Sequence, residues 1–394
     1  MTDQRSTLSF LRDLIAFPTV SRDPNRALIE YCADYLRSIG AVVEIIAADS
    51  GDKANLYATI GPDMVPGVML SGHTDVVPVD GQLWTKPPFE AVVESGRVYG
   101  RGTADMKGFV AAALSCAGIA AQRHLQTPLQ TPLHLALSYD EEIGCVGVRS
   151  LIDMLAAAPV KPAMCIVGEP TAMAIATGHK GKTAIEAACV GSAAHSALAP
   201  QAVNAIHLAC DLIAQIRHLQ DDMITDGAQD SAYDIPYTTL HAGLITSGVA
   251  LNIVPDHAVV TFEIRNLAAD DPEAILHRLR RAIAPVIAVA RKRAAEADIV
   301  FKVINSYPGL ETSLDEAVVA MVAELTGRDE RIKVAFGTEG GLFSQRLGIP
   351  AVVCGPGSME QGHKADEFVT LAHLDSCDAM LASLVDRLAT GLNS

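Results

Sequence analysis

The fold is decided by the stretch Val68-Met-Leu-Ser-Gly-His-Thr-Asp75, in which a short apolar run ends in residues that can bind ligands. Such a run, bounded by glycine and polar residues, is typical of a buried strand. Three later runs share this pattern. They are Leu133–Tyr139 before Asp140-Glu141-Glu142, Met164–Val167 before Gly168-Glu169-Pro170, and Ala351–Cys354 before Gly355-Pro356-Gly357 and, further on, His363.

Helical patterns lie between or beside these runs, at Pro24–Ile39, Met106–Ala121, Val146–Ala157 and Leu314–Leu325. Strands that alternate with helices predict an α/β domain with a mostly parallel sheet flanked by helices. Ligands of such sheets bind beyond the carboxyl ends of the strands. We therefore expect the polar residues that follow the four runs to meet at one edge of one sheet.

The middle of the chain has a different pattern. Its predicted strands and helices follow the order β-α-β-β-α-β of a ferredoxin-like unit: Thr183–Val190, Asn204–His218, Thr238–Ile245, Ala258–Asn266, Pro272–Lys292 and Ile299–Asn305. We predict an inserted α+β domain at 177–308, within a domain formed by 1–176 and 309–394. Turn-like sequences at Thr177-Gly178 and Pro308-Gly309 mark the two boundaries.

Composition excludes several classes of protein. The 394 residues carry 30 basic and 46 acidic side chains, which gives a net charge of −16, and 49% of the residues are hydrophobic. Such a chain folds into a core, and its acidity argues against binding to nucleic acid or an anionic membrane. The most apolar segment, Phe109–Ala121, is too short for a bilayer span, which takes about 20 residues. Eight cysteines without a C-x-x-C pair suggest buried thiols and a cytoplasmic protein.

Two glycine-rich stretches match nucleotide motifs only in part. Gly178-His-Lys-Gly-Lys-Thr183 lacks the first glycine of a P-loop, because position 176 is alanine, and a strand pattern follows it. Gly100-Arg-Gly-Thr-Ala-Asp105 has Asp105 in place of the third glycine of a dinucleotide fingerprint. The chain also has no G-x-S-x-G of a serine hydrolase. A nucleotide enzyme is therefore disfavoured.

The residues that could carry chemistry are acids and histidines near the strand ends. Any one of them alone could be a hydrogen-bonded loop residue or a solvated acid. Several carboxylates at one edge would repel each other and could not all stay ionised, unless a divalent cation balanced them. Mixed histidine and carboxylate ligands suit Zn²⁺, with Mn²⁺ or Co²⁺ possible. The candidates are His73, Asp75, Asp105, Glu141, Glu142, Glu169 and His363.

Over nearly its whole length the chain resembles the dinuclear-zinc metallopeptidase family of acetylornithine deacetylase, succinyl-diaminopimelate desuccinylase, aminoacylase and related carboxypeptidases. The stretches that carry this resemblance are Ser71-Gly-His-Thr-Asp-Val-Val-Pro78, Gly100-Arg-Gly-Thr-Ala-Asp-Met-Lys-Gly108, Tyr139-Asp-Glu-Glu-Ile-Gly144, Gly168-Glu-Pro-Thr171, Ala194-His-Ser196 and His363. Within the family the chain is most similar to the acetylornithine deacetylases. That closer likeness rests on Leu137-Ser-Tyr-Asp-Glu-Glu-Ile-Gly-Cys145, Gly178-His-Lys-Gly181 and Phe336-Gly-Thr-Glu339.

The resemblance implies two zinc ions per subunit, with Co²⁺ or Mn²⁺ as possible replacements. Asp105 would bridge the two ions. His73 and Glu169 would complete the binding of one ion, and Glu142 and His363 that of the other. Both ions would then share one carboxylate, as in other two-metal hydrolases.

The resemblance also implies catalytic roles. Asp75 would accept a hydrogen bond from the ring of His73 and orient it. Glu141 would be the general base that moves a proton from water to the leaving amine. His195, in the inserted dimerisation or lid domain, would reach the active site of the other subunit of a homodimer and stabilise the oxyanion.

Three further residues are expected to bind substrate. Asn252 and Arg265 match positions of the lid associated with the substrate, and a guanidinium suits a free carboxylate. Glu339 could meet the cationic side chain of ornithine and would repel a succinyl substrate. Outer-face or loop positions are the alternatives for Arg265 and Glu339.

These features together predict a metal-dependent enzyme that hydrolyses the N-acyl amide of a small amino acid. The expected reaction is conversion of N²-acetyl-L-ornithine to L-ornithine and acetate in arginine biosynthesis. The same hydrolysis of another N-acyl amino acid, or of N-succinyl-diaminopimelate, is the alternative. A relative that binds metal without catalysis would need a broken ligand set, and here every position is occupied.

Overall fold

The computed structural model describes residues 5–392, which form two compact units. Within this range the first unit comprises 5–178, 310–333 and 338–392, and the second comprises 179–309 together with 334–337. None of the helices in the described range is both long enough and apolar enough to cross a membrane.

The helices of residues 5–392 are α1 (Thr7–Ile15), α2 (Arg26–Ser38), α3 (Lys107–Gln126), α4 (Val148–Ala157), α5 (Ala205–Thr225), α6 (Pro272–Ala290), α7 (Ala317–Thr326), α8 (Gly340–Leu347) and α9 (Leu371–Thr390), with a 3₁₀ helix at Ser196–Gln201. The strands are β1 (Val42–Ala47), β2 (Ala54–Ile60), β3 (Val68–His73), β4 (Val92–Glu94), β5 (Arg97–Tyr99), β6 (Leu133–Ser138), β7 (Met164–Val167), β8 (Ile175–His179), β9 (Lys182–Val190), β10 (Ala194–His195), β11 (Thr239–Ser247), β12 (Ile253–Val254), β13 (His257–Arg265), β14 (Asp298–Tyr307), β15 (Leu310–Glu311), β16 (Arg331–Val334), β17 (Ala351–Val353) and β18 (Phe368–Thr370).

The main sheet of the first unit has the order β1-β2-β6-β3-β7-β17-β8-β15, with β16 paired to β8. Its four central strands, β6, β3, β7 and β17, run parallel. His73 is in register with Ser138, and both Ser71 and Val353 pair with Val167. The carboxyl ends of the four runs therefore lie side by side, as predicted. The antiparallel neighbours β1, β2 and β8 were not expected.

Helix α3 is the central support of this sheet. It is rich in alanine and buried along most of its length, so the sheet, α1 and α9 can all pack closely against it. Its first turn follows directly on Asp105, and the peptide bond Asp105–Met106 is cis. Packing of α3 therefore fixes where the chain bearing Asp105 enters the sheet edge.

The second unit contains a separate antiparallel sheet of order β11-β13-β9-β14. Side chains of β9 and β13 alternate between buried and more exposed positions, because one face packs on α5 and α6. The order of elements, β9-α5-β11-β13-α6-β14, is ferredoxin-like. The predicted combination of a mostly parallel α/β sheet with an α+β unit is confirmed.

Candidate metal centre

Asp105 lies between two histidines. Its Oδ1 is 3.0 Å from Nε2 of His73, and its Oδ2 is 3.0 Å from Nε2 of His363. His73 closes β3 and is buried, whereas the side chain of His363 lies on a loop and is 45% exposed. One carboxylate thus has a separate histidine at each oxygen, which is the arrangement expected of a bridging ligand.

Each of these two histidines also lies close to a glutamate. Glu169 Oε1 lies 3.6 Å from Nε2 of His73, and Glu142 Oε2 lies 3.1 Å from Nε2 of His363. Oxygen and nitrogen atoms of His73, Asp105 and Glu142 all lie within 4.8 Å of one another, and so do those of His73, Glu141 and Glu169. Glu141 is therefore as close to His73 and Glu169 as a metal ligand would be.

The backbone before Glu169 is shaped by Gly168. The ring of Phe109, from α3, packs against this glycine, and a Cβ added to Gly168 would lie 1.9 Å from the ring. A side chain cannot be accommodated at that distance. The close contact of Phe109 with residue 168 therefore depends on glycine and fixes the backbone position just before Glu169.

Asp75 holds the turn that carries the two adjacent acids. Its Oδ1 accepts the main-chain N–H of Glu141 at 3.1 Å, and its Oδ2 accepts that of Glu142 at 3.3 Å. The hydroxyl of Ser21 also donates to Oδ2, at 2.7 Å. Nδ1 of His73 lies 2.9 Å from the main-chain oxygen of Asp75 and 3.5 Å from its carboxylate. Asp75 thus lies against the ring of His73, and its carbonyl is the nearer acceptor.

Burial and mutual repulsion perturb the acids of the cluster. Burial raises the pKa of Glu141 to about 8, opposed by His73 and reinforced by Glu142. Burial likewise raises the pKa of Glu142 to about 7, and nearby Asp105 acts in the same direction. For Glu169, burial raises the pKa well above its usual range, and Asp105 adds to this effect. These three acids resist carrying their charges together.

The histidines and Asp105 are perturbed in the opposite sense. Burial opposes ionisation of Asp105, but hydrogen bonds from His363 and His73 outweigh it and hold the pKa of Asp105 well below its usual range. Hydrogen bonds to Asp105 and Glu142 raise the pKa of His363 to about 10. Burial disfavours a charged His73, yet Glu169 and Asp105 raise its pKa well above its usual range. The protein alone thus balances these acids with protons.

The cluster fits divalent cations. Its donors are imidazole nitrogens and carboxylate oxygens, the set that Zn²⁺ accepts. Oε1 of Glu142 is buried and has no hydrogen-bond partner among the described residues. A buried acceptor without a partner is costly, and a cation at this position would satisfy it. Cations would also replace the protons that otherwise balance the acids.

Glu339, predicted to bind substrate, is buried. It precedes α8, is 1% exposed, and its Oε2 is 3.2 Å from the hydroxyl of Ser71 on β3. Burial raises the pKa of Glu339 to about 7, and the Ser138 hydroxyl opposes this. Its contact with a cationic substrate side chain stays a prediction.

Three predicted site residues belong to the second unit. His195 is exposed on β10, and its Nδ1 accepts the main-chain N–H of Ala197 at 3.1 Å. Asn252 lies next to it, because the carbonyl of Asn252 accepts the N–H of Ser196 at 2.9 Å. Arg265 ends β13, where its Nε donates to Glu263 at 3.0 Å and its Nη1 lies 3.3 Å from the hydroxyl of Tyr307. Arg265 thus already has an acidic neighbour.

Two contacts near the cluster were not anticipated from the sequence. The thiol of Cys145 lies 3.1 Å from Oε1 of Glu141, close enough for a hydrogen bond to a carboxylate. Glu367, four residues after His363, accepts the main-chain N–H groups of Ala104 and Asp105. The closeness of Glu367 to His363 in the chain was a sign that it could belong to the site. Its partners could not be inferred, because they lie about 260 residues earlier in the chain.

Comparison with known proteins agrees with this geometry. A model of peptidase family M20/M25/M40 matches residues 69–387. A curated acetylornithine deacetylase of Pasteurella multocida (strain Pm70) is 33% identical over 393 residues, covering 98% of this chain and 99% of the relative. An acetylornithine deacetylase of Proteus mirabilis (strain HI4320) is 33% identical over 390 residues, covering 96% of each chain.

Among solved structures, the M20 family metallo-carboxypeptidase Sso-CP2 from Sulfolobus solfataricus shares the fold. Its TM-score is 0.78 at 20% identity, with 98% of this chain and 100% of that chain covered. The family resemblance found in the sequence is thereby confirmed. The chain belongs to peptidase family M20/M25/M40 and is a metal-dependent hydrolase.

Proposed function

We propose that this protein hydrolyses the N-acyl amide of an amino acid at a dinuclear metal centre, with N²-acetyl-L-ornithine as substrate and arginine biosynthesis as its pathway. The observation that carries the proposal is Asp105, whose two oxygens each lie 3.0 Å from a different histidine. The deacetylase names of the full-length relatives support the choice of acyl group.

The proposed ligands follow the two sides of Asp105. His73 and Glu169 would hold one ion with it, and Glu142 and His363 the other. When bound, the ions would act as Lewis acids toward the acyl carbonyl and make water more acidic. Zn²⁺ is the proposed native metal because two histidines and three carboxylates suit it, and Co²⁺ should substitute.

Glu141 is proposed to move the proton. The oxygen of water forms a bond to the acyl carbon, Glu141 takes a proton from that water, and the amide C–N bond breaks as Glu141 returns the proton to nitrogen. Acetic acid and the neutral amine are released from this step, and transfer of the acid proton to the amine gives acetate and the protonated amine, so atoms and charges balance. A pKa raised by burial suits this role, because the carboxyl must both accept and release the proton near neutral pH.

Asp75 is proposed to position the base Glu141 and the metal ligand His73. Its carboxylate holds the main chain of Glu141 and Glu142, and its carbonyl faces Nδ1 of His73. A ring that donates from Nδ1 presents the lone pair of Nε2 toward Asp105. The proposed base and one proposed ligand are thereby oriented by a single residue.

The proposed active enzyme is a homodimer in which His195 of the partner subunit stabilises the oxyanion. The hydrogen bond from Ala197 occupies the lone pair of Nδ1 of His195. A neutral ring then carries its proton on Nε2 and can donate from that exposed atom. Stabilisation of the oxyanion requires such an N–H donor.

Substrate contacts are proposed for the lid and the sheet. Arg265 would hold the free carboxylate, helped by Asn252, and Glu339 would favour a cationic over an acidic side chain. The hydrogen bond from Nε of Arg265 to Glu263 would hold the guanidinium in one orientation for this contact.

A substrate panel tests the proposal. Purified protein loaded with Zn²⁺ is assayed for free amine with N-acetyl-ornithine, other N-acetyl amino acids and N-succinyl-diaminopimelate, beside the same protein after chelation. We expect the highest kcat/KM for acetyl-ornithine and loss of activity on chelation. A higher value for the succinyl substrate would overturn the substrate, and full activity in verified metal-free protein would overturn the metal centre.

A further inference from the structure

Glu367 binds the backbone of the segment that leads into Asp105. Its Oε1 accepts the main-chain N–H groups of Gly102 at 3.1 Å, Ala104 at 2.9 Å and Asp105 at 3.1 Å. The Glu367 side chain is fully buried. Three N–H groups converging on one oxygen fix the path of this segment, including the residue that lies between the two histidines.

Arg101 joins the same carboxylate to a second loop. Its Nη1 lies 2.5 Å from Oε2 of Glu367, and its Nη2 lies 2.6 Å from Oε1 of Gln82. The guanidinium is 5.0 Å from the ring of Trp84, and Arg101 is 1% exposed. The charge of Glu367 is therefore balanced by a cation held in one orientation.

Gln82 carries this connection to His363. Its Nε2 donates to the main-chain oxygen of His363 at 2.9 Å. Three residues later, the carboxylate of Asp366 accepts the N–H of Thr85 at 2.9 Å. The carbonyl of the half-exposed His363, whose φ is +62°, is thus held by Gln82, and the loop is held again at the side chain of Asp366.

We propose that Glu367, Arg101 and Gln82 are positioning residues for two metal ligands, the bridging Asp105 and His363. This inference rests on the proposed dinuclear centre. Asp105 and His363, which do not follow strands of the central sheet, are joined through the chain Asp105 main chain–Glu367–Arg101–Gln82–His363 main chain. The ligand His73, by contrast, ends β3 of the central sheet and needs no such link.

The buried ion pair is well suited to this role. Replacing a buried pair by apolar residues often costs no stability, so stability alone is a weak explanation for it. Positioning explains why its members also bind N–H groups and Gln82 beside two candidate ligands. Residues that orient metal ligands typically affect metal affinity by about 10- to 100-fold when changed.

Two variants test the network at different points. Gln82→Ala removes the link to His363 without leaving a buried charge, and Glu367→Gln removes the charge that pairs with Arg101. Arg346→Gln is the matched control, because Arg346 forms an exposed pair with Asp153 at 2.6 Å. Metal-free protein is titrated with Zn²⁺ in competition with a chromophoric chelator, which yields the affinities of the two sites separately.

We expect Gln82→Ala to lower one Zn²⁺ affinity by about 10- to 100-fold while the other matches that of the wild type. Glu367→Gln should lower both affinities, because Asp105 is proposed to bind both ions. Arg346→Gln should match the wild type at both sites. Thermal unfolding of the metal-free proteins shows whether each variant is folded, and Gln82→Ala carries the test if Glu367→Gln is not.

Three results would overturn the inference. Unchanged affinities at both sites would show that the network does not position a ligand. Equal losses at both sites in Gln82→Ala would indicate a general structural role. Wild-type protein that binds no Zn²⁺ would overturn the proposed metal centre itself and this inference with it.

Discussion

Replacement of Asp75 by asparagine should weaken the hydrogen bonds that hold the main chain of Glu141 and Glu142 in the site. The carboxylate of Asp75 accepts at both oxygens, from the main-chain N–H of Glu141 at one and from the N–H of Glu142 and the hydroxyl of Ser21 at the other. An amide keeps one acceptor oxygen and places N–H donors at the other position. In Asp75→Asn at least one main-chain N–H must therefore face another donor.

The size of the effect follows from the hydrogen bonds that are lost. A hydrogen bond to a charged group contributes about 1.5–3 kcal/mol. If that free energy appears in the placement of Glu141, kcat should fall by about 10- to 150-fold, since about 1.4 kcal/mol corresponds to a factor of ten. Ser21→Ala removes a hydroxyl that donates to Asp75 but leaves the carboxylate with both N–H groups of the turn, so its kcat should fall much less than that of Asp75→Asn.

Steady-state kinetics on the Zn²⁺-loaded variants, together with their metal content and melting temperatures, provide the assay. We expect Asp75→Asn to remain folded, with kcat reduced much more than KM is changed. An unchanged kcat in a variant shown to contain the asparagine would refute the argument. A kcat reduced equally by Ser21→Ala would show that the hydroxyl, and not the contacts to the turn, is what matters.

Four further outcomes are expected. Glu141→Gln should lower kcat by about 10²- to 10⁴-fold and keep its metal, whereas Glu142→Gln should lose metal; equal metal loss in both would contradict their separate roles. Arg265→Ala should raise KM only for substrates with a free α-carboxylate, and an equal rise for ester analogues would point to a structural pairing with Glu263. Inactive His195→Ala and Glu141→Ala proteins, refolded together, should recover about a quarter of wild-type activity if sites are shared across a two-fold dimer; no recovery despite subunit exchange shown by mass would refute this. Burial lowers the pKa of His134 to about 4, so between pH 6.5 and 4 the unfolded chain takes up a proton that the folded chain does not. The free energy of unfolding should therefore decrease as the pH is lowered from 6.5 to 4, and it should decrease less in His134→Gln, as measured by denaturant titration at each pH. The same pH dependence in both proteins would refute this prediction.

The part of the site that lies on strands could be predicted from the sequence. His73 and Glu169 follow apolar runs, and parallel register alone brings the ends of β3 and β7 together. Glu141 and Glu142 follow β6 in the same way. These positions depend on local patterns and on a general property of parallel sheets, so they needed no knowledge of distant contacts.

The contacts that hold the loops could not be predicted in this way. Nothing near Glu367 indicates that its partners are the N–H groups of 102–105, because main-chain donors have no sequence signature. The same is true of Asp75. It was expected to accept a hydrogen bond from the ring of His73, and in the structure it also accepts two main-chain N–H groups. The contact of Glu339 with Ser71 on β3 could not be predicted either, because the two residues lie 268 positions apart in the chain.

Asp75 and Glu367 share one physical principle. Each is a buried carboxylate outside the proposed ligand set, and each binds main-chain N–H groups of a segment that carries proposed ligands. Main-chain donors cannot change rotamer, so a carboxylate that accepts several of them fixes the segment more firmly than a side-chain contact would. Such rigidity matters here because Asp105, Glu142 and Glu169 repel one another when no cation is bound. Two carboxylates that never touch the ions would thus keep the repelling ligands in place for binding.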